Sequence, residues 1–358
     1  MTSMTEIPAD VSLALFLGVD THKDTHHAAL VDVHGRRLTD HEFGTDAAGC
    51  TELLAWAARH GVVTAAGVEG TGGYGAGLTR HLHQAGVTVV EVDHPDRQSR
   101  RRLGKSDPLD AYAAAAAVHS GRATTIPKDR DGDVESIRLL HNARASAVKS
   151  RAEAMTQLKS VIVTCPDLLR TQLRGLTKAK LIRTCVGFRP DPITTGGVLA
   201  ANKTTLRRTA KRIVDLTAEI KEHERDLKML TRRAAPELLA LVGVGVETAS
   251  QLLVTVGENR DRIHAETSLA RLCGVAPMLA SSGKTKRHRL NRGGDRQGNR
   301  ALHTIVLSRL KHDPRTKAYV ERRSAENKSK KEIMRCLKRY VAREIYQVLN
   351  PKNGVDES

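Results

Sequence analysis

The chain has 358 residues, more than a single hydrophobic core usually supports, so two or three structural units are expected. Its 58 Lys and Arg residues against 40 Asp and Glu residues give a formal net charge of +18, which favours a polyanionic partner such as nucleic acid. The sequence has no run of about 18 apolar residues and no signal-peptide pattern, which argues against a membrane protein. These features predict a cytoplasmic protein that associates with the nucleoid when it is bound to DNA.

Cysteines and aromatic residues narrow the function further. The five cysteines are scattered and form no CxxC pair, so neither a disulfide framework nor a zinc site is expected. Aromatic residues make up only 3% of the chain, too few for a protein that stacks splayed single-stranded bases. Contacts from Arg and Lys to the nucleic-acid backbone and grooves fit the composition better.

Residues 13–92 alternate between short β-like runs and helical stretches, the pattern of an α/β domain. The predicted strands cover residues 13–20, 26–33, 36–43, 63–69 and 87–92. Short links between the first three suit an antiparallel meander, whereas predicted helices supply the crossovers that parallel strands need. Those helices cover residues 47–59 and 76–84. This order predicts an RNase H/RuvC-like amino-terminal domain.

The remainder of the chain is basic and helical. The alanine-rich segment 107–120 has strong helix propensity. Long charged amphipathic stretches over residues 134–233 predict antiparallel helices or a coiled coil. They are interrupted near Pro166 and through residues 187–197. A final helical unit ends in a basic helix over residues 328–348. The fold class is therefore α/β plus all-α, with predicted domains at residues 1–127, 128–235 and 236–350 and a tail at 351–358.

Two predicted strands end in a carboxylate, and one predicted helix begins with two. Asp20 closes the first strand and Glu69 the fourth, so parallel pairing would place them side by side. Asp107 and Asp110 are spaced so that both side chains lie on one helix face. Oxygen-only clusters favour Mg²⁺ or Mn²⁺, and two ions about 3.5–4 Å apart assist phosphodiester cleavage. The four acids are predicted to hold two such ions.

Each acid also has a structural explanation. Asp107 precedes Pro108 and would make a good helix N-cap, with Asp110 in the first turn, while Asp20 alone would be a strand-end turn residue. Glu69 is harder to explain in this way, because burying an unpaired carboxylate is costly. The glycines around it, in GVEGTGGYG, permit close approach of a phosphate.

Two stretches are densely basic: RQSRRRLGK at residues 97–105 and SSGKTKRHRLNRGGDRQGNR at residues 281–300. Charge runs are usually solvated surface, but the net charge favours nucleic-acid contact here. The predicted contact residues are Arg97, Arg100, Arg101, Arg102, Lys105, Lys284, Lys286, Arg287, Arg289 and Arg292. Considered by itself, Ser282 in the second stretch would be a linker residue.

Residues 238–257 contain two apolar helical segments joined through Gly243-Val244-Gly245. This pattern resembles a helix-hairpin-helix element, whose turn amides can contact DNA phosphates. An ordinary αα-hairpin is the alternative. Gly243 and Gly245 are therefore added to the predicted nucleic-acid contacts.

Together, these segments resemble the DEDD transposases of bacterial insertion sequences, which include the Piv-type DNA invertases and have an amino-terminal domain similar to the Holliday-junction resolvase RuvC. The resemblance spans nearly the entire chain. The segments that carry it, in the family's order, are GVDTHKD at 18–24, GVEGTGGYG at 67–75, KSDPLDA at 105–111, LVGVGVETA at 241–249 and CGVAPMLASSGKTKR at 273–287.

The resemblance implies that the four acids hold the divalent ions and that Ser282 attacks DNA to form a phosphoserine link. Ser281 adjoins it, but the spacing from Pro277 and the following glycine favour Ser282. The resemblance further implies a structured bridge RNA that pairs with donor and target DNA, and self-association into a dimer or tetramer on nucleic acid. The resemblance therefore implies that the chain is a DNA transposase or site-specific recombinase.

Two other functions fit the same residues. A RuvC/RNase H-like two-metal nuclease, such as a junction resolvase, would cut with activated water and leave Ser282 as a loop residue. A non-enzymatic architectural protein would use only the basic stretches and the glycine hairpin. A covalent protein–DNA adduct would exclude the first alternative, and an effect of Asp20→Asn on any activity would exclude the second.

Overall fold

The computed structural model describes residues 13–92, 106–279, 288–289, 291 and 293–351, with only the backbone at residues 193–195. The chain forms two compact units, Met1–Arg130 and Asp131–Ser358. The first contains a mixed sheet flanked by helices, and the second is helical apart from a short hairpin, so the mixed α/β and helical classes are confirmed. No helix in the described part of the chain is both long and apolar enough to cross a membrane.

The sheet of the first unit has five strands: β1 (Ala14–Thr21), β2 (Thr25–Asp32), β3 (Arg37–Gly44), β4 (Val62–Glu69) and β5 (Thr88–Val92). Their order in the sheet is β3-β2-β1-β4-β5. The β1–β2 and β2–β3 pairs are antiparallel, while β1–β4 and β4–β5 are parallel. All five predicted strands are confirmed, as is the change from an antiparallel meander to parallel pairing.

Helices cover both faces of this sheet. One face packs against α1 (Ala47–Ala58) and α2 (Ala76–Gln84), through an apolar core that includes Leu15, Leu17, Leu30, Leu53 and Leu78. The other face packs against α3 (Asp107–His119), through a cluster formed by Phe16, Ala29, Val31, Ala111 and Ala115. Alternate residues of β1 thus serve different cores, as the pleat of a strand requires.

Helix α3 lies unusually close to the strands because glycines face it. A Cβ atom added at Gly18 would lie 2.1 Å from the Ala111 carbonyl oxygen and 2.2 Å from the Ala115 amide nitrogen. A Cβ atom at Gly67 would lie 2.7 Å from the Ala114 carbonyl oxygen. The alanines of the helix leave the same space open from the other side. The helix backbone therefore rests directly on β1 and β4.

Hydrogen bonds hold α3 to the meander along its length. The Tyr112 hydroxyl donates to Asp40 Oδ1 on β3 at 3.0 Å. Near the carboxyl end of the helix, His119 Nε2 lies 2.9 Å from the Val33 carbonyl oxygen. These contacts fix both the rotation and the position of the helix on the sheet.

The second unit begins with two long helices and two short ones: α4 (Asp133–Thr164), α5 (Asp167–Leu173), α6 (Lys178–Val186) and α7 (Ile193–Ala234). Two breaks, after residue 164 and between residues 186 and 193, fall where the sequence predicted interruptions. A third, between residues 173 and 178, was not predicted. Gly197, with φ of 56°, adds a kink near the start of α7.

The two long helices run antiparallel. Arg233 Nε donates to Asp133 Oδ2 at 2.7 Å, and Arg144 Nη2 donates to Glu224 Oε1 at 2.8 Å. Rising residue numbers on one helix thus meet falling numbers on the other. The predicted antiparallel helices are therefore present.

The rest of the second unit contains α8 (Pro236–Leu239), α9 (Val246–Val256), α10 (Glu266–Leu272), β6 (Met278–Leu279), β7 (His288–Arg289), α11 (Arg296–His312), α12 (Pro314–Ala325) and α13 (Lys330–Leu349). Its core also takes side chains from the long helices, and includes Ile137, Leu227, Leu252, Leu302 and Ile345. The proposed domain boundaries at residues 127, 235 and 350 stay predictions.

Replacing Gly18 by Ala is expected to destabilise the first unit by about 3 kcal/mol or more, because the added methyl group would meet helix backbone that cannot rotate away. Gly77→Ala is the matched control. Gly77 is an exposed residue of α2 with no atom within 4 Å of the added Cβ, and helix propensity favours Ala there by about 0.5–1 kcal/mol. Denaturant unfolding measures both variants. A Gly18→Ala protein as stable as the wild type would contradict the close packing.

Candidate active site

The ends of β1 and β4 bring two of the predicted acids together. The parallel register pairs Gly18 with Gly67 and Val19 with Val68, so the residues that follow, Asp20 and Glu69, come next to each other. The Thr21 hydroxyl donates to the Glu69 carbonyl oxygen at 2.7 Å and ties the two strand ends. Asp20 is only 6% exposed. The expected side-by-side placement of these two acids is present.

The first turn of α3 carries the other two acids. Asp107 is the first residue of the helix, and Asp110, one turn later, is only 4% exposed. The N-cap is Ser106, whose side chain makes no capping hydrogen bond. The N-cap explanation of Asp107 is therefore wrong by one position, because the helix starts one residue earlier than Pro108 suggested.

The four carboxylates interact electrostatically around Asp20. Burial is the main cause that raises the pKa of Asp20, and His22 acts in the opposite direction. The neighbouring carboxylates that raise this pKa further are Glu69, Asp110 and Asp107. A buried acid surrounded by acids is costly to ionise unless a cation compensates. The donor set therefore fits a divalent metal ion.

His22 was not identified as a site residue from the sequence. Oxygen or nitrogen atoms of Asp20, His22 and Asp107 all lie within 4.8 Å of one another, the spacing of a metal-ligand group. His22 Nδ1 lies 3.9 Å from Asp20 Oδ2. The only sequence signal was a histidine two residues beyond the strand-end acid. His22 therefore adds an imidazole nitrogen to the possible ligand set.

A hydrogen-bonded network supports this site from the meander. His27 pairs with Asp20 across β1 and β2, and its Nε2 lies 2.8 Å from Asp40 Oδ2. The other Asp40 oxygen accepts the Tyr112 hydroxyl of α3. Burial, assisted by this bond, raises the pKa of Tyr112 to about 12, so the phenol stays protonated and keeps donating. The network links α3, which carries Asp107 and Asp110, to β2 and β3. Of these two strands, β2 pairs with β1 at Asp20.

Most of the predicted nucleic-acid contacts lie outside the described residues. These are Arg97, Arg100, Arg101, Arg102, Lys105, Lys284, Lys286, Arg287 and Arg292, together with Ser281 and Ser282. Arg289 is described and lies exposed on β7. Its contact with nucleic acid stays a prediction.

The predicted glycine hairpin is only partly formed. Its first helix, α8, is a single turn of 4 residues, so two full helices do not flank the glycines. A Cβ at Gly243 would lie 3.1 Å from the Ile305 carbonyl oxygen, and the neighbouring Val242 carbonyl accepts from Arg309 Nε at 2.7 Å. This side of the turn therefore packs against α11.

The Gly245 amide already has a partner inside the protein. It donates to Thr248 Oγ1 at 3.1 Å, and the Val244 amide donates to the Leu241 carbonyl at 3.1 Å. A phosphate at this turn would have to compete with these bonds. Contact of Gly243 and Gly245 with DNA stays a prediction.

Comparison with known protein families gives two matches in chain order. Residues 17–165 match the family of DEDD-type transposases that is named after insertion element IS110. Residues 235–321 match the transposase IS116/IS110/IS902 family. The first match contains all four acids, and the second ends beyond the segment with Ser282.

Individual proteins with similar sequences also come from insertion elements. The 42 kDa protein of insertion element IS900 from Mycobacterium paratuberculosis is 24% identical over 372 residues, covering 91% of this chain and 93% of that protein. The transposase for insertion sequence element IS1328 from Yersinia enterocolitica is 24% identical over 288 residues, covering 80% and 81%. A shorter stretch of 97 residues is 38% identical to the 43.6 kDa protein of insertion element IS110 from Streptomyces coelicolor, covering 26% and 24%. The chain belongs to the IS110/IS116 family of DEDD transposases of insertion elements.

Proposed function

We propose that the protein cuts and rejoins DNA at the ends of its insertion element, and that two divalent ions held by its four acids assist the reaction. The observation that carries this proposal is the clustering of Glu69, Asp107 and Asp110 around the buried Asp20. The strand order of the sheet supports an RNase H/RuvC-like fold for this unit. The ions are Mg²⁺ or Mn²⁺.

Bound ions would polarise the scissile phosphate and stabilise the attacking and leaving oxygens. The chain itself contributes carboxylates that are placed before substrate arrives, because strand ends and a close-packed helix hold them. The glycine-rich turn after Glu69 brings backbone close to the site. A Cβ at Gly75 would lie 3.1 Å from the Glu69 carbonyl oxygen, a tight contact that would require the neighbouring atoms to shift.

We assign the nucleophile to Ser282, which lies outside the described residues. Its support is the resemblance of CGVAPMLASSGKTKR to the family motif and the glycine that follows the serine. The serine oxygen forms a bond to phosphorus while one DNA oxygen leaves, and the serine proton passes to a base or to water. The phosphodiester is kept as a phosphoserine ester. A DNA hydroxyl can therefore reverse the exchange and rejoin strands without an external energy source.

We further propose that a structured bridge RNA pairs with donor and target DNA, and that the protein acts as a dimer or tetramer on nucleic acid. The support is the family resemblance and the net charge of +18, which suits binding of two polyanions. Base pairing would then read sequence, while the protein contacts the backbone.

Loss of the Asp20 charge is expected to stabilise the metal-free protein. The pKa of Asp20 is raised in the folded state, so the folded protein binds the Asp20 proton more tightly than the unfolded chain does. This stabilisation is fully present below the unfolded-state pKa and is lost as the pH rises through the folded-state pKa. In chelator at pH 7, Asp20→Asn should therefore unfold at a temperature a few degrees higher than the wild type. Glu52→Gln, an exposed change on α1, should differ from the wild type by less than about 0.5 kcal/mol.

The same thermal melts with Mn²⁺ test the metal site. At about 100 times its Kd, the ion should stabilise the wild type by about 2.7 kcal/mol. Asp20→Asn should lose most of this gain. Equal stabilisation of the two proteins by Mn²⁺ would contradict binding at Asp20.

A covalent DNA adduct tests the nucleophile. The wild type with its nucleic-acid partners and Mn²⁺ should yield a protein–DNA product that survives denaturation and that Ser282→Ala abolishes. Ser281→Ala, one residue away, should keep it. Strand cleavage without any adduct would instead favour the RuvC-like nuclease that uses water.

Sequencing the nucleic acid that copurifies with the full-length protein tests the guide. We expect one discrete structured RNA from the element, with segments complementary to both donor and target DNA. Random cellular RNA of all sequences would show charge-driven binding without guidance.

A further inference from the structure

The second unit contains a basic pocket of about 620 Å³, lined by the turn after α10, by β7 and by α12 and α13. Its cationic lining residues are Arg289, Arg323, Lys328, Arg335, Lys338 and Arg339. Glu332 is the one acid among its described lining residues. This excess of cations selects an anionic ligand.

Neighbouring acids satisfy only part of this charge. Glu332 Oε2 accepts from the Ser329 amide at 2.9 Å and from its hydroxyl at 2.7 Å, as the cap of α13. Arg323 pairs with Glu326, and Arg339 with Glu266. Within the described part of the chain, the four other lining cations form no salt bridge with a carboxylate, although the charges of Lys328 and Arg335 act on Glu332. These four are Arg289, Lys328, Arg335 and Lys338.

Lys338 is the most confined of these cations. It is only 8% exposed, and its ammonium donates to Asn299 Oδ1 at 2.9 Å. Burial, assisted by the Arg335 charge, lowers the pKa of Lys338. Beside it, Arg339 Nη1 is buried without a hydrogen-bond partner among the described residues. Lys338 has no anionic partner among the described residues, and Arg339, although paired with Glu266, has one N–H group without an acceptor. Burying such groups is costly, so the two residues favour a ligand that brings negative charge and acceptor oxygens.

The pocket is built onto the segment that leads to the proposed nucleophile. Asn299, which holds Lys338, donates from Nδ2 to the Cys273 carbonyl at 2.7 Å. Residues 274–277 then line the pocket and lead into β6, which pairs with β7. In the sequence these two strands flank residues 280–287, the segment that contains Ser282.

We propose that this basic pocket binds a phosphodiester group of the substrate DNA, with Lys338 as the inner cation and Arg289 and Arg335 as further contacts. The proposal rests on the proposed function, because it names a group of the DNA on which the proposed strand exchange acts. A phosphodiester fits, since it supplies one negative charge and oxygens that accept charge-assisted hydrogen bonds from ammonium and guanidinium groups. The acid cluster of the first unit, in contrast, binds cations.

Binding of a fluorescein-labelled duplex DNA of mixed sequence to the full-length protein, measured by anisotropy over a range of salt concentrations in chelator, tests the pocket. Lys338→Met is expected to weaken binding about fivefold to tenfold and to reduce the slope of log affinity against log salt by about one. Lys331→Met is the matched control, since it removes the same charge from an exposed position on α13 outside the pocket. It should change affinity less than twofold.

Arg289→Gln keeps the test informative if Lys338→Met fails to fold, because Arg289 is exposed and its loss leaves the core intact. It should also weaken binding more than the control. If both pocket variants bind like Lys331→Met at every salt concentration, the proposal is overturned. If they weaken binding of an RNA duplex of the same sequence but leave DNA binding unchanged, the assignment to DNA is wrong.

Failure of the pocket and failure of the proposed function give different results. The anisotropy measurement requires neither cleavage nor metal. Selective loss of DNA binding in Lys338→Met without any Ser282 adduct in the wild type would support the pocket and refute the serine mechanism. An adduct in the wild type, with Lys338→Met binding like the control, would refute the pocket alone.

Discussion

The direct contact between the backbone of α3 and the two central parallel strands is the constraint on which the first unit depends. Gly18 and Gly67 have no side chain to separate them from the helix, and Ala111, Ala114 and Ala115 are small on the facing side. A helix held at ordinary distance by larger side chains would begin further from the sheet. The first turn of α3, with its two carboxylates, can reach the strand-end acids only because this packing is so close.

That packing carries an electrostatic cost. Asp20 is buried, and the acids around it disfavour its ionised form, so the metal-free site is a region of unfavourable charge within a stable fold. A divalent cation converts the same repulsion into binding energy. The second unit has the opposite character, because the described residues that line the pocket around Lys338 include six cations and one acid. One unit is thus suited to metal ions and the other to phosphate, the two components that DNA strand exchange requires.

The sequence predicted what depends on local patterns. Alternating apolar residues located the strands, and the spacing of Asp107 and Asp110 placed both on one helix face. Features that depend on long-range packing were missed. The alanines of α3 were interpreted only as good helix formers, although they also permit the approach to Gly18. The placement of His22 near Asp107 and the hydrogen bond between Lys338 and Asn299 were not predicted. In both cases no sequence periodicity relates the residues that meet. The first helix of the glycine hairpin ends at Leu239, earlier than predicted, because the residues that follow it turn and contact α11 through Val242.

Anomalous scattering from crystals of the full-length protein grown with Mn²⁺ would locate the bound metal. We expect metal density between the end of β1 and the first turn of α3, within coordination distance of Asp20, with Glu69, Asp107 and Asp110 as further ligands. Crystals of Asp20→Asn should show none of this density. Saturating Mn²⁺ with no density at these acids, or density held elsewhere by unrelated side chains, would contradict metal binding by the four acids.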